Sequence, residues 1–338
     1  MISLSRGHIL IGNLCFIILL FVYVHTKLSQ HESPWRPLSS NTMDFESQLI
    51  VIYNRVPKTG STTFTNAVAY DLFKVNDFNV IHLNMTKNRQ VMSLTDQGEF
   101  IRNITSWMER RPSFYHGHVA FIDFSRFGYP NPIYINIVRE PLQRLLSHYY
   151  FLRFGDNYRI GLKRSRAGNN ETFDDCILKN GRDCDMRQMW LQIPYFCGHH
   201  HFCTVVGSRL ALEQAKRNLI DKYLLVGISE QLRDFIAILE RLVPRFFKGA
   251  LSHFDGLSEN RAHLRNTKQK FLPNDHTLSV IRRNEVYQLE KEFYDFAKEE
   301  FMAVFKKATN GTNNALDILR LKSQYHYEKI KPDRAKQF

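Results

Sequence analysis

Acidic residues are the shortage in this chain: 33 Asp and Glu stand against 46 Lys and Arg, a formal net charge of +13. Such an imbalance calls for an anionic partner, whether nucleic acid, a membrane surface or a glycan, and charge alone does not choose among them. Cysteine is also sparse, with five in 338 residues, and no two have the C-x2-C spacing of a zinc site. No internal repeat is visible. Long apolar runs are almost absent too. The exception is Ile9 to Val24, roughly 16 residues broken only by Asn13 and just long enough for a thin bilayer. Arg6 precedes this run and Lys27 and Arg36 follow it, so the charge signal for orientation is weak. No small-x-small cleavage site follows, which favours a retained anchor over a cleaved signal peptide.

The expected layout is a cytoplasmic tail at 1–8, a transmembrane signal anchor at 9–24, a polar stem at 25–47 and a lumenal domain at 48–338. A type II lumenal protein does not meet nucleic acid, so that partner is set aside. Hydrophobic residues at 43% and aromatics at 13% exclude wholesale disorder. Cys15 sits in the apolar run, while Cys176, Cys184, Cys197 and Cys203 cluster. Behind an anchor they fit two local disulfides, Cys176–Cys184 and Cys197–Cys203. The CGHHHFC stretch also looks metal-like, but three consecutive histidines do not converge easily on one ion, so no metal is expected. Glycosylation sequons begin at Asn84, Asn103, Asn170 and Asn310.

Apolar runs separated by helical periodicity imply one α/β domain with a mainly parallel sheet. LIVIY (Leu49–Tyr53), FNVIHLN, FYHGHVAFIDF (Phe114–Phe124), IYINIV and YLLVGI read as strands. EPLQRLLSHYYFLRF, LALEQAKRNLIDKY, EQLRDFIAILERLVPRFF and NEVYQLEKEFYDFAKEEFMAVFKKA read as helices, and 155–205 as loop-rich.

RVPKTGSTTFTN (Arg55–Asn66) follows the first strand and leads into a helix, the layout that turns backbone N–H groups toward an anion. The glycines of a nucleotide-triphosphate loop are missing: Pro57 and Ile52 occupy their positions. An anion site other than a triphosphatase remains, beside the plainer reading of a strand-to-helix turn with a surface lysine. A second such unit, INIVREPLQRLLSHYY, offers Arg139 at a strand end and Ser147 about two turns into the helix. Arg139 alone would equally suit a salt bridge. In YHGHV, His116 and His118 alternate on a strand, so both imidazoles share a face, with Gly117 leaving room between them. They suit proton abstraction or a purely structural pair. Basic stretches at Tyr158–Gly168 and Asn260–Lys270 suit a solvated face or a channel for a polyanion.

Together YNRVPKTGST, MTKN, NITSW, FYHGHV, PIYINIVREP, YYFLRFGDNYR, WLQIPYFCGH, NLIDKYLLVG and PRFFKGA resemble the heparan sulfate 2-O-sulfotransferase family, from about Ile50 to YHYEKI near the C-terminus. The chain departs from it at Gly60, where Ala is expected, and by a one-residue offset in the following helix. The resemblance implies a P-loop-like sulfotransferase fold with 3′-phosphoadenosine 5′-phosphosulfate (PAPS) as co-substrate. By motif, Lys58 and the backbone of Thr59, Gly60, Ser61 and Thr62 hold the 5′-phosphosulfate. Arg139 and Ser147 hold the 3′-phosphate, and Lys270 closes over the nucleotide. His118 is the implied base, His116 its assistant, and Lys58 stabilises the leaving group. Arg55, Asn66, Tyr70, His82, Lys87, Arg159, Arg164 and Arg265 are implied sugar contacts. A homotrimer in the Golgi membrane, acting on heparan sulfate, is implied as well. The rivals are a dermatan or chondroitin uronyl 2-O-sulfotransferase, a silent heparin-binding lectin on the same fold, and a Golgi kinase.

Overall fold

Five short runs form the sheet: β1 (Ile50–Asn54), β2 (Asn79–Leu83), β3 (Ser113–Gly117), β4 (Ile133–Val138) and β5 (Tyr223–Ile228). In the computed structural model, residues 45–85, 91–156, 159, 161–258, 267 and 269–320 are described. The chain divides into two compact units, Met1–Phe45 and Glu46–Phe338, and the whole sheet belongs to the second. The expected tail and anchor, most of the stem, Lys87 and Arg265 lie outside the described residues. Among the described residues no helix is long and apolar enough to cross a membrane.

All five strands pair parallel, in the order β2-β3-β1-β4-β5. A parallel sheet is covered on both faces, which is why its central strands are continuous apolar runs rather than alternating ones. Val51 to Tyr53 and Tyr134 to Val138 are buried throughout, whereas the edge strand β2 is only half-buried. At the carboxyl ends two buried asparagines tie the strands together. Asn136 donates to the carbonyl and side-chain oxygens of Asn54 at 2.8 and 3.0 Å. The Tyr223 hydroxyl donates to the Asn54 Oδ1 at 3.0 Å, and Asn54 itself donates to the Tyr195 carbonyl at 3.2 Å. Buried amides so fully engaged hold the strand ends in one arrangement.

The helices used below are α1 (Ser61–Phe64), which runs into a π turn at Thr65–Tyr70, α2 (Leu94–Ser106), α3 (Pro141–Phe154), α4 (Gln192–Cys197), α5 (Arg209–Lys222), α6 (Leu232–Leu242) and α7 (Glu285–Ala308). Pro141 opens α3, and Glu140 caps it by accepting from the Gln143 N–H at 2.7 Å. The π turn falls where the family resemblance has its one-residue offset. A turn with i→i+5 bonds takes up an extra residue locally.

Three expectations change. The run from Phe114 to Phe124 is a strand only to Gly117; beyond it Val119 to Ile122 are all buried in a loop, and the Phe121 N–H donates to the Tyr195 carbonyl at 2.8 Å. Its apolarity reflects burial, not strand pairing. The EQLRDFIAILERLVPRFF helix ends at Leu242 because Pro244 disfavours helical geometry at Val243, and a short second helix begins at the proline. The 155–205 region contains short helices, including Phe173–Leu178, held by disulfides Cys176–Cys184 and Cys197–Cys203.

Candidate active site

Strand order places the site. The chain leaves β1 toward β2 and β3 on one side, and leaves β4 toward β5 on the other, so the strand order reverses between the ends of β1 and β4. In parallel α/β sheets that is where ligands bind.

The segment after β1 makes the first wall. Lys58 and Gly60 both adopt left-handed backbone, with φ of 69° and 80°, which folds the loop sharply onto the start of α1. First-turn N–H groups have no partner inside their own helix and suit an anion. The Thr59 hydroxyl donates to the Val56 carbonyl at 2.9 Å, stapling the turn. Ser61 is buried and Thr62 half-buried. The Lys58 ammonium lies 4.1 Å from the Phe151 ring centroid, and its carbonyl accepts from Arg139 Nη1 at 3.2 Å. Arg139, Lys58 and α3 therefore close on one another.

Gln143, Ser147 and Phe151 stand at i, i+4 spacing on α3, so one face of that helix meets the loop. Ser147 is buried, and the Lys270 ammonium donates to Gln143 Oε1. Burial lowers the pKa of Arg139 against the pull of Glu230 and Glu140. Burial and the neighbouring Arg139 lower that of Lys270. Cations held close enough to disfavour one another mark a place for an anion.

The second wall is a histidine cluster built on Arg55. Its Nη1 lies 3.1 Å from His116 Nδ1 and its Nη2 lies 3.2 Å from His118 Nε2. Arginine only donates, so both of these ring nitrogens accept. The remaining protons are then assigned. His118 Nδ1–H donates to the Arg55 carbonyl at 2.8 Å, and His116 Nε2–H donates to the Tyr70 hydroxyl at 2.9 Å. His116 is buried and stacks on His82 with centroids 4.8 Å apart. Burial first, then Arg55, pushes its pKa down to about 3, so it stays neutral. His82 is also lowered, by burial and then by Arg55 and Arg159. His118 is half-buried, just past the strand. Both imidazoles meet the one Arg55 guanidinium. Gly117 does not make room between the imidazoles: a Cβ there would lie 2.5 Å from the Leu83 carbonyl oxygen, so the glycine permits close approach of β2.

Arg164 completes the junction of the walls. Its guanidinium lies 4.2 Å from the Phe151 centroid and its Nη2 3.6 Å from the buried Asp156 carboxylate. Asp156 also accepts from the Arg159 N–H at 3.0 Å. Asn66 is half-buried on the π turn, about one turn before Tyr70. The four sequon asparagines are exposed. His199 bridges two segments, accepting from the Met92 N–H at 2.9 Å and donating to the Ala120 carbonyl at 3.2 Å.

Sequence reasoning missed four residues here. Phe151 carries two cations. His148 lies near Lys58, its pKa lowered to about 4 by burial and then by Arg144 and Lys58. Gln192 and Glu290 support Arg139 from behind. Phe151, within YYFLRFGDNYR, and Gln192, within WLQIPYFCGH, lay in segments already marked by resemblance, but Gln192 has its partner 98 residues away.

Residues 41–297 match the sulfotransferase family. The heparan sulfate 2-O-sulfotransferase hst-2 of Caenorhabditis elegans is 71% identical over 286 residues, 85% of this chain and 88% of that protein. Heparan sulfate 2-O-sulfotransferase 1 of Homo sapiens is 48% identical over 307 residues, covering 90% and 85%. A heparin sulfate O-sulfotransferase of Drosophila melanogaster is 49% identical over 310 residues, covering 91% and 86%. With most of both chains aligned at these identities, the protein belongs to the sulfotransferase family, in its heparan sulfate 2-O-sulfotransferase branch.

Proposed function

We propose that this chain transfers a sulfuryl group from PAPS to the 2-hydroxyl of hexuronic acid, iduronic acid by preference, in heparan sulfate. The carrying observation is that Arg55 serves both walls at once. Its carbonyl orients His118, its guanidinium meets both histidines, and three residues later Lys58 enters the left-handed turn of the anion loop.

The donor's two anionic ends fit the residues present. Lys58 and the N–H groups of Thr59, Gly60, Ser61 and Thr62 suit the 5′-phosphosulfate, and Arg139, Ser147 and Lys270 suit the 3′-phosphate. PAPS supplies the sulfuryl group and the phosphate on which the bond-breaking electrons depart. His118 Nε2 takes the hydroxyl proton as the sugar oxygen bonds to sulfur and the sulfur–oxygen bond to the 5′-phosphate breaks. Lys58 meets the negative charge left on that phosphate. His116, with both nitrogens engaged and its pKa far below neutrality, positions Arg55 and Tyr70 rather than carrying the proton. Arg55, Asn66, Tyr70, His82, Lys87, Arg159, Arg164 and Arg265 are assigned to the sugar chain.

The proposal extends to a type II protein of the Golgi membrane, with tail, anchor and stem at 1–8, 9–24 and 25–47 and the catalytic domain in the lumen. Two disulfides, which persist in oxidising compartments, and four exposed sequons support a lumenal site. A homotrimer rests on the family resemblance.

The test offers labelled PAPS with N-sulfated heparosan, heparan, dermatan and chondroitin, followed by disaccharide analysis. Label should enter the uronic acid 2-position of the heparan-type acceptors. Preferred labelling of dermatan or chondroitin would overturn the substrate, and no labelling of any acceptor would overturn the reaction.

A further inference from the structure

Arg139 stands one residue beyond the last paired residue of β4, Val138, which pairs with Ile228. There the sheet no longer supplies partners for its backbone. The Gln192 side chain does. Its Oε1 accepts from the Arg139 N–H at 2.9 Å, and its Nε2 donates to the Arg139 carbonyl at 2.9 Å. A primary amide presents the same donor and acceptor as a peptide group, so it extends the ladder by one residue.

Gln192 is fully buried and is itself fixed from outside. It opens α4, whose first turn has no side-chain cap of its own. Glu290, projecting from α7 and also fully buried, accepts from the N–H groups of Leu191, Gln192 and Ile193 at 2.8, 3.3 and 3.2 Å. On the other side Arg144 donates to the carbonyls of Gln188 and Met189 at 3.1 and 3.2 Å. The segment is clamped from both sides, and the connection runs from Glu290 through Gln192 and Arg139 to the Lys58 carbonyl.

We propose that Gln192, held by Glu290, is the positioning residue that fixes Arg139 for the 3′-phosphate of the nucleotide. This rests on the reading of Arg139 as a 3′-phosphate ligand. A buried carboxylate that holds the backbone of a buried glutamine, whose amide in turn holds one arginine backbone, is costly to retain where only packing is needed. Their placement gives an uncapped strand end the rigidity that bidentate phosphate binding requires.

The experiment compares calorimetric affinities for adenosine 3′,5′-bisphosphate and adenosine 5′-monophosphate, which differ only in the 3′-phosphate. Wild type, Gln192→Met, Glu290→Gln and, as a reference, Arg139→Ala are measured, each with its melting temperature. Gln192→Met should weaken the bisphosphate by about tenfold or more, with the monophosphate unchanged within about twofold. Glu290→Gln, which keeps one acceptor oxygen, should show a smaller loss of the same selective kind. Kinetics should show a raised KM for PAPS with kcat at saturation largely kept. If Gln192→Met fails to fold, Glu290→Gln decides alone. Equal loss of both nucleotides, or loss of neither, in a folded variant overturns the inference while leaving the donor site standing. A wild type that binds the bisphosphate no tighter than the monophosphate overturns the donor-site reading itself, and the inference with it.

Discussion

Nη2 of Arg55 lies 3.2 Å from Nε2 of His118, the nitrogen assigned to receive the acceptor's proton. A guanidinium is always protonated, so it keeps that nitrogen an unprotonated acceptor until a sugar hydroxyl replaces it. The same guanidinium lowers the pKa of His116, after burial.

Arg55→Ala should therefore misplace both imidazoles. An expected outcome is a loss of about 10²-fold in kcat/KM. NMR titration should show the His116 pKa moving up toward its ordinary value. Unchanged His116 titration would show that the contact carries no electrostatic weight.

Gly60 holds φ of +80°, and among the described residues a Cβ placed there would meet only the Ser229 Cβ, at 3.9 Å. Space is open, so Gly60→Ala should cost only the left-handed backbone, about 1–2 kcal/mol. Thermal or denaturant unfolding measures it. A loss of about 4 kcal/mol or more would instead indicate a packing role for this position.

Histidines with lowered pKa values, one buried and two half-buried, set the acid limb of stability. His116, His148 and His199 are held at about 3, 4 and 4, chiefly by burial, against an ordinary value of 6.5. The unfolded chain then binds more protons as pH falls below about 6.5. The stability they contribute is complete above that pH and lost as pH falls through the folded values. Glu290 acts oppositely. Burial raises its pKa from 4.5 to about 7, so its contribution is complete below 4.5 and lost as pH rises through about 7. These three histidines, joined by the lowered His82, against one glutamate predict a melting temperature that drops from pH 7 to pH 5. His199→Gln should reduce that drop by on the order of 1–2 kcal/mol of pH-dependent stability. Glu290→Gln should steepen it. A melting temperature that rises on acidification would contradict the assignment.

Much of the fold is legible in the sequence because parallel strands must be apolar on both faces: β1, β4 and β5 stand out as runs within a residue of their ends. The stretch after Gly117 misleads because a buried loop needs the same side chains as a buried strand. Lys58, Arg139 and the histidine pair are visible from local strand-loop-helix motifs. Arg55's double contact is not visible, since it links residues 61 and 63 positions apart. Glu290 is hidden for a similar reason. It sits in a long charged helix, and only tertiary packing shows that α4 covers it.

Turnover of His118→Ala tests the central claim most directly, measured with labelled PAPS at saturating acceptor alongside nucleotide and heparan affinities. The account predicts a loss of about 10²–10⁴-fold in kcat, with both affinities largely kept. Lys58→Ala should instead lose both donor affinity and turnover, and His116→Ala should fall between them. Near-wild-type turnover of folded His118→Ala would contradict the assignment of the base and return the YHGHV histidines to a structural role.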